Sequence, residues 1–176
     1  MELGLRIGEV CGLKWEDFDL GTGILTVRRT VCRICCGNNH TKIVIQTPKT
    51  RTSSREIPLP KQLVSLLKKL RKPSANDTWF LSGNEEKPVE PRCYHKSIQC
   101  YLKQVSLRKI HPHTLRHTFA TTCLQAGCDI KTLSELLGHA SATVTLQRYV
   151  HSDLTRKRTE LQRIYTLSEK AYRESM

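Results

Sequence analysis

From position 113 to the C-terminus the chain carries helical spacing, reset only at capping residues and glycines, and no other feature constrains its fold as strongly. One helix is predicted over 113–126, stopping at Gly127. A second runs from an Asp129 N-cap to Leu137 and stops at Gly138. A third starts at Ser141 and carries Val144, Leu146 and Tyr149, and a last amphipathic helix spans about 154–173. Ahead of these lie three short β-rich runs: Ile24 to Val31, Lys42 to Gln46 and Arg55 to Leu59. They predict a three-stranded antiparallel sheet with 32–41 as an irregular insertion. Residues 3–14 have helical spacing without an N-cap, and Pro60 opens a helix that runs to Arg71. Trp79-Phe80-Leu81 is a short buried strand or turn, and a further helix covers Pro91 to Val105. Strands followed by helices give an α+β class, mainly α-helical with a small three-stranded antiparallel sheet. The length of 176 residues suits one domain, 1–153, with a C-terminal helical tail at 154–176.

Charge narrows the function. The chain has 29 Lys and Arg against 16 Asp and Glu, a net +13. The excess is concentrated: residues 28–72 hold twelve basic side chains against the single acid Glu56, whereas the first twenty residues are acidic. A concentrated basic block points to a polyanion, most simply nucleic acid. Arg28, Arg29, Lys42, Arg51 and Arg55 are the candidate nucleic-acid contacts in that block, with His117 from a later helix. No apolar run approaches the ~20 residues of a membrane span. The first residues, Met1-Glu2-Leu3-Gly4, carry no basic segment and no signal-peptide core.

The chemistry sits in two segments. In His113-Thr114-Leu115-Arg116-His117 the residues His113, Arg116 and His117 share one helical face near a helix start, while Leu115, Phe119, Thr122 and Ala126 are expected in the core. A helix N-terminus with His and Arg together favours a phosphate. Leu136-Leu137-Gly138-His139 is then followed, ten residues after its histidine, by Tyr149 in Gln147-Arg148-Tyr149-Val150.

Taken with the opening Gly4-Leu5-Arg6-Ile7-Gly8-Glu9-Val10 and Gly12-Leu13-Lys14-Trp15-Glu16-Asp17, this pattern resembles the tyrosine recombinase (phage integrase) family over essentially the whole chain. The first segment is similar to the family's first arginine box and His113 to Ala120 to its second. Leu136 to His139 and Tyr149 follow in order. Thr47-Pro48-Lys49-Thr50 sits in the turn where the family keeps a lysine. The likeness is greatest to integrases of conjugative transposons and temperate phages of Gram-positive bacteria.

The resemblance implies a reaction and a role for each residue. Arg6 and Arg116 would clamp the non-bridging oxygens of a DNA phosphodiester, whose pentavalent transition state gathers negative charge. Tyr149 would attack phosphorus, forming a 3′-phosphotyrosyl link and freeing a 5′-hydroxyl. His113 would take the tyrosine proton, Lys49 would protonate the leaving oxygen, and His139 would bond a non-bridging oxygen or position Tyr149. Arg51 stays a rival to Lys49, and His111 competes with His113. Arg6 also has Glu9 and Glu16 in reach as structural ion-pair partners. No cofactor is needed. The implied partners are double-stranded DNA and further copies of the chain, a tetramer in the full-length protein, with the fragment alone a monomer. The implied outcome is strand exchange through a Holliday junction, for integration and excision of a mobile element in the bacterial cytoplasm at the nucleoid. The family's catalytic domain normally starts upstream of the first arginine box, so the start of the domain is expected to be missing. A DNA-binding regulator, an inactive remnant and a topoisomerase-like nicking and resealing enzyme remain alternatives.

The eight cysteines leave one question open. Cys11, Cys93, Cys100, Cys123 and Cys128 are expected as small core hydrophobes. Cys32, Cys35 and Cys36 with His40 have enough ligands for zinc, but the cluster is short and single and the chemistry requires no metal, so reduced thiols in a hairpin extension are the favoured reading. The C-terminal helix, with Leu154, Leu161, Tyr165, Leu167 and Tyr172 on one face, would dock either on its own chain or on a neighbouring subunit.

Overall fold

The computed structural model describes residues 3–36, 40–47, 54–72, 77–139, 141–149, 158, 161–162 and 164–166; the side chains of 148 and 149 lie outside that set. The first helix, α1, is Ile7–Cys11, shorter than the predicted 3–14. Gly4, at φ 60°, turns the chain before it. Arg6 is its N-cap, and the Arg6 backbone N–H donates to the Glu9 carboxylate at 2.7 Å, closing the first turn.

The strands follow. β1 (Phe18–Asp19) pairs antiparallel with β2 (Ile24–Val27), with Phe18 opposite Leu25. β3 (Thr30–Cys35) and β4 (Thr41–Gln46) form a separate hairpin, with Val31 opposite Ile45. β5 (Arg55–Pro58) returns to β2, with Ile57 opposite Leu25. A three-stranded antiparallel sheet is therefore present, but its members are β1, β2 and β5. The single strand predicted from Ile24 to Val31 breaks at Arg28-Arg29, where the chain leaves one sheet and enters the other. Asp17 draws the Arg29 guanidinium at that break, with Arg29 Nη1 at 3.2 Å from Oδ2. The expected irregular insertion at 32–41 is instead largely the hairpin itself, which Cys36 closes by donating its N–H to the His40 carbonyl at 2.8 Å.

Alternate residues of the three-stranded sheet, Leu25, Val27 and Ile57, are almost fully buried. They meet Leu67 of α2 (Lys61–Leu70) and the cluster Trp15, Phe18 and Phe80, whose ring centroids lie 5.0–5.8 Å apart. Trp79 bridges to Lys14 as the predicted short buried segment. α3 (Pro91–Gln104) turns Tyr94, Ile98 and Leu102 partly inward, but leaves Tyr101 and Val105 exposed.

A second core joins Ala120 and Leu124 of α4 (Pro112–Gln125) to Leu133 and Leu137 of α5 (Ile130–Leu137). The buried stripe of α4 is Pro112, Arg116, Ala120 and Leu124, each four residues after the last. That corrects the predicted face: Leu115 and Phe119 are only partly buried, and Thr122 and Ala126 are exposed. The helix is rotated so that Arg116 points inward, which it can do because carbonyl acceptors await it. α6 (Ala142–Tyr149) completes the described helices, and described residues from 158 to 166 are helical. There Leu161, Ile164 and Tyr165 are exposed; Leu154, Leu167 and Tyr172 lie outside the described residues. No helix of the described residues is long and apolar enough to cross a membrane.

The cysteine expectations change too. Cys11 is buried, but Cys93 and Cys100 are exposed on α3, and Cys123 and Cys128 are intermediate. Cys32 and Cys35 both lie on β3, three residues apart. Successive strand side chains point to opposite faces, so these two thiols diverge. That geometry does not fit a zinc site on Cys32, Cys35, Cys36 and His40, and the described residues hold no other His, Cys, Asp and Glu group suited to a metal.

Candidate active site

The C-terminal end of α5 organises the site. Asp129 caps its start by accepting the Thr132 N–H at 2.9 Å. At its end Gly138 takes φ 63° and ψ 47°, the left-handed conformation. Gly138 N–H then bonds the Glu135 carbonyl and His139 N–H bonds the Ser134 carbonyl, both at 3.0 Å, the paired closure of a Schellman turn. A helix end leaves carbonyls without intrahelical partners and carries the negative end of the dipole.

Three arginines from distant parts of the chain answer that end. Arg55 donates Nε to the Leu136 carbonyl at 2.8 Å. Arg116 donates Nη2 to the Leu137 carbonyl and Nη1 to the Gly4 carbonyl, both at 2.6 Å. Arg6 donates Nη2 to the Gly138 carbonyl at 2.9 Å. Three consecutive carbonyls thus hold three guanidiniums in fixed order. Glu9 supplies the counter-charge. Its carboxylate takes both Arg55 terminal nitrogens at 3.0 Å and Arg6 Nη1 at 2.7 Å. Burial alone would raise the Glu9 pKa; the Arg55 hydrogen bonds and charge, with those of Arg6, outweigh it and hold the group below the ordinary range. Two of the five N–H donors of Arg6 are used, and its side chain is 39% exposed. It therefore presents donors to an outside anion while its geometry is set from behind. Arg116 is only 6% exposed, and sits deeper.

His139 follows the Gly138 turn directly. Its ring is buried, and Nδ1 lies 2.8 Å from the hydroxyl of Thr145, which is fully buried on α6. This bond ties the turn to the helix that ends at Tyr149, one turn beyond Thr145. His113 is exposed on the first turn of α4, one turn before Arg116, and His117 is exposed one turn later. The fold therefore gathers Arg6, Arg116 and His139 at the α5 turn and places His113 on the helix that carries Arg116. Tyr149 enters through the end of α6, its side chain outside the described residues. Lys49 and Arg51 also lie outside the described residues.

Two predicted DNA contacts are corrected. Arg55 is 9% exposed and its guanidinium is enclosed by Glu9 and Leu136, so it serves the scaffold. Arg29 is held by Asp17 and Glu16 and its side chain is mostly covered. Burial raises the Asp17 pKa despite that neighbour. Arg28, 54% exposed with only a 3.9 Å approach to Asp17, and Lys42, exposed on β4, stay available for a polyanion. Sequence reasoning missed Thr145, which carries no motif signal beyond its place one turn before the tyrosine. It considered Glu9 only as a rival explanation for Arg6; the structure shows the ion pair and the half-exposed guanidinium together.

A family model described as the phage integrase family matches residues 1–156. Tyrosine recombinase XerC of Thermodesulfovibrio yellowstonii is 36% identical over 152 residues, covering 86% of this chain and 47% of that protein. Tyrosine recombinase XerA of Pyrococcus furiosus is 33% identical over 145 residues, covering 81% and 44%. Among solved structures, the Tn1549 transposon integrase in complex with transposon right end DNA superposes with a TM-score of 0.74 at 28% identity, over 93% of this chain and 56% of that one. The XerA recombinase crystal structure gives a TM-score of 0.60 at 29% identity, over 92% and 52%. The chain spans about half the length of these relatives.

Proposed function

Because the chain belongs to the phage integrase family, we propose that it carries the DNA-cleaving and rejoining centre of a site-specific recombinase that moves a mobile element. The observation that carries this reading is the anchoring of Arg6 and Arg116 on adjacent carbonyls of one turn, next to His139, whose ring bonds Thr145 on the helix bearing Tyr149. A phosphodiester in that space meets two permanently charged forks that cannot be deprotonated at physiological pH. Their charge opposes what develops on the non-bridging oxygens as phosphorus becomes pentavalent.

Tyr149 attacks phosphorus as its proton passes to His113, which lies within one turn of Arg116. The leaving 5′-oxygen takes a proton from Lys49, since the guanidinium of its neighbour Arg51 does not give one up at physiological pH. His139, oriented by Thr145, bonds a non-bridging oxygen. The 3′-phosphotyrosyl ester conserves the energy of the broken bond, so a 5′-hydroxyl from a partner duplex reverses the step and exchanges strands. The exposed Arg28, Lys42 and His117 hold the DNA backbone. The active assembly is a tetramer of full-length subunits on two duplexes, in the bacterial cytoplasm. Transposon right end DNA in the Tn1549 integrase complex supports the choice of substrate class.

The test is a duplex nicked beside the scissile phosphate, drawn from DNA flanking the gene, incubated with the chain and with its Tyr149→Phe variant. A denaturation-resistant protein–DNA adduct with the first and none with the second is the expected outcome. An adduct that survives Tyr149→Phe overturns the assignment of the nucleophile.

A further inference from the structure

Behind His113 lies an array of side chains to which the reaction assigns no role. Gln99 on α3 donates Nε2 to the Ile110 carbonyl at 2.7 Å. A carbonyl only accepts, so this bond fixes which end of the amide faces it. The same Nε2 lies 3.1 Å from His95 Nε2. His95 Nε2 must therefore accept, and its proton resides on Nδ1. Gln99 Oε1 is buried without a partner among the described residues, so the amide keeps this orientation for the sake of its nitrogen. The His95 ring meets the His111 ring edge-on, with centroids 5.3 Å apart at 68°. His111 is the N-cap of α4, and its Nδ1 accepts the His113 N–H at 3.4 Å. The proton of neutral His111 is then on Nε2. His111 also stacks on His113, with centroids 5.3 Å apart at 15°.

We propose that Gln99, His95 and His111 form a positioning array for His113, which locks His95 and His111 in opposite neutral tautomers and presents the His113 ring in one orientation. The proposal rests on the reading of His113 as the proton acceptor. His111 acts through His113 in two ways: its Nδ1 holds the His113 backbone, and its ring holds the imidazole. The rings that meet His111 are those of His95 from α3 and His113 on its own helix.

Two measurements test this on the full chain. Long-range 1H–15N correlation spectra of the DNA-free protein at neutral pH are expected to show His95 protonated on Nδ1 and His111 on Nε2. The opposite tautomer at either residue overturns the array. Single-turnover cleavage of the nicked duplex is then compared for wild type, His111→Asn, His113→Ala and the double variant. Asn keeps a capping oxygen, so the fold and DNA affinity are retained while the ring is lost. His111→Asn is expected to slow cleavage about tenfold, in keeping with the cost of a misplaced catalytic group. It should add no further loss in the His113→Ala background. A wild-type rate for His111→Asn beside a slow His113→Ala, or losses that multiply in the double variant, overturns the positioning role alone. A wild-type rate for His113→Ala overturns the reading of His113 and the positioning role with it.

Discussion

Gly138→Ala tests the scaffold most sharply, because two independent penalties fall on one methyl group. The residue sits at φ 63°, where an L side chain costs roughly 1–2 kcal/mol. A Cβ there would also lie 2.6 Å from Arg55 Nη1 and 2.9 Å from its Cζ, closer than real Cβ contacts come. The guanidinium cannot simply swing aside. It is held at one end by the Leu136 carbonyl and at the other by both oxygens of Glu9. Displacing it disturbs charge-assisted hydrogen bonds worth about 1.5–3 kcal/mol each. The sum is about 2.5–5 kcal/mol if one such bond is lost. Gly127→Ala is the matched control: φ there is 86°, but nothing lies within 4 Å of the added Cβ, so only the backbone term of about 1–2 kcal/mol applies. Urea unfolding of the two variants, read as midpoint shifts at constant m-value, separates the terms. Equal losses for both glycines would refute the claim that Arg55 is pinned against the turn.

Other consequences follow from the same network. Glu9→Gln leaves buried Arg55 without its carboxylate and is expected to cost about 3–5 kcal/mol at neutral pH. Because the folded Glu9 pKa is lowered, its contribution is complete above the unfolded value and is lost as pH falls through the folded one. The stability gap between wild type and Glu9→Gln should therefore narrow on acidification below about pH 4, as urea midpoints across a pH series would show. Thr145→Val removes the partner of the His139 ring at a fully buried position. It should lower stability by about 1–3 kcal/mol and slow cleavage, with DNA affinity unchanged in a filter-binding assay. Arg55 and Lys42, paired in the sequence reading as DNA contacts, should now part company. Lys42→Ala is expected to reduce the salt dependence of binding to random duplex DNA by about one contact. Arg55→Ala should destabilise the fold and leave that slope unchanged in whatever protein stays folded.

What could be read from the sequence was what local signals encode. The Asp129 cap and the Gly138 stop bound α5 as predicted, because both act within a few residues of themselves. The strand break at Arg28-Arg29 has no such mark: the run from Ile24 to Val31 is β-rich throughout, and only the exchange of partners from β5 to β4 divides it. The arginines show the same limit. Arg6, Arg29, Arg55 and Arg116 are alike in sequence, and their separate fates depend on partners elsewhere in the fold. Arg6 finds the Gly138 carbonyl 132 residues away, and Arg55 finds the Leu136 carbonyl 81 residues away. Motif order singled out Arg6, Arg116 and His139, which the fold brings to one turn; it could not tell that Arg116 faces the core of its own helix pair.

The central claim is that the α5 turn holds two arginines around a phosphate which Tyr149 attacks. Mass-spectrometric mapping of the peptide left on cleaved nicked duplex, with identification of the free DNA end, measures this directly. The account predicts a 3′-phosphate ester on Tyr149 with a free 5′-hydroxyl, and none with Arg116→Ala. An ester on another side chain, a 5′-linked tyrosine, or undiminished adduct with Arg116→Ala would contradict it.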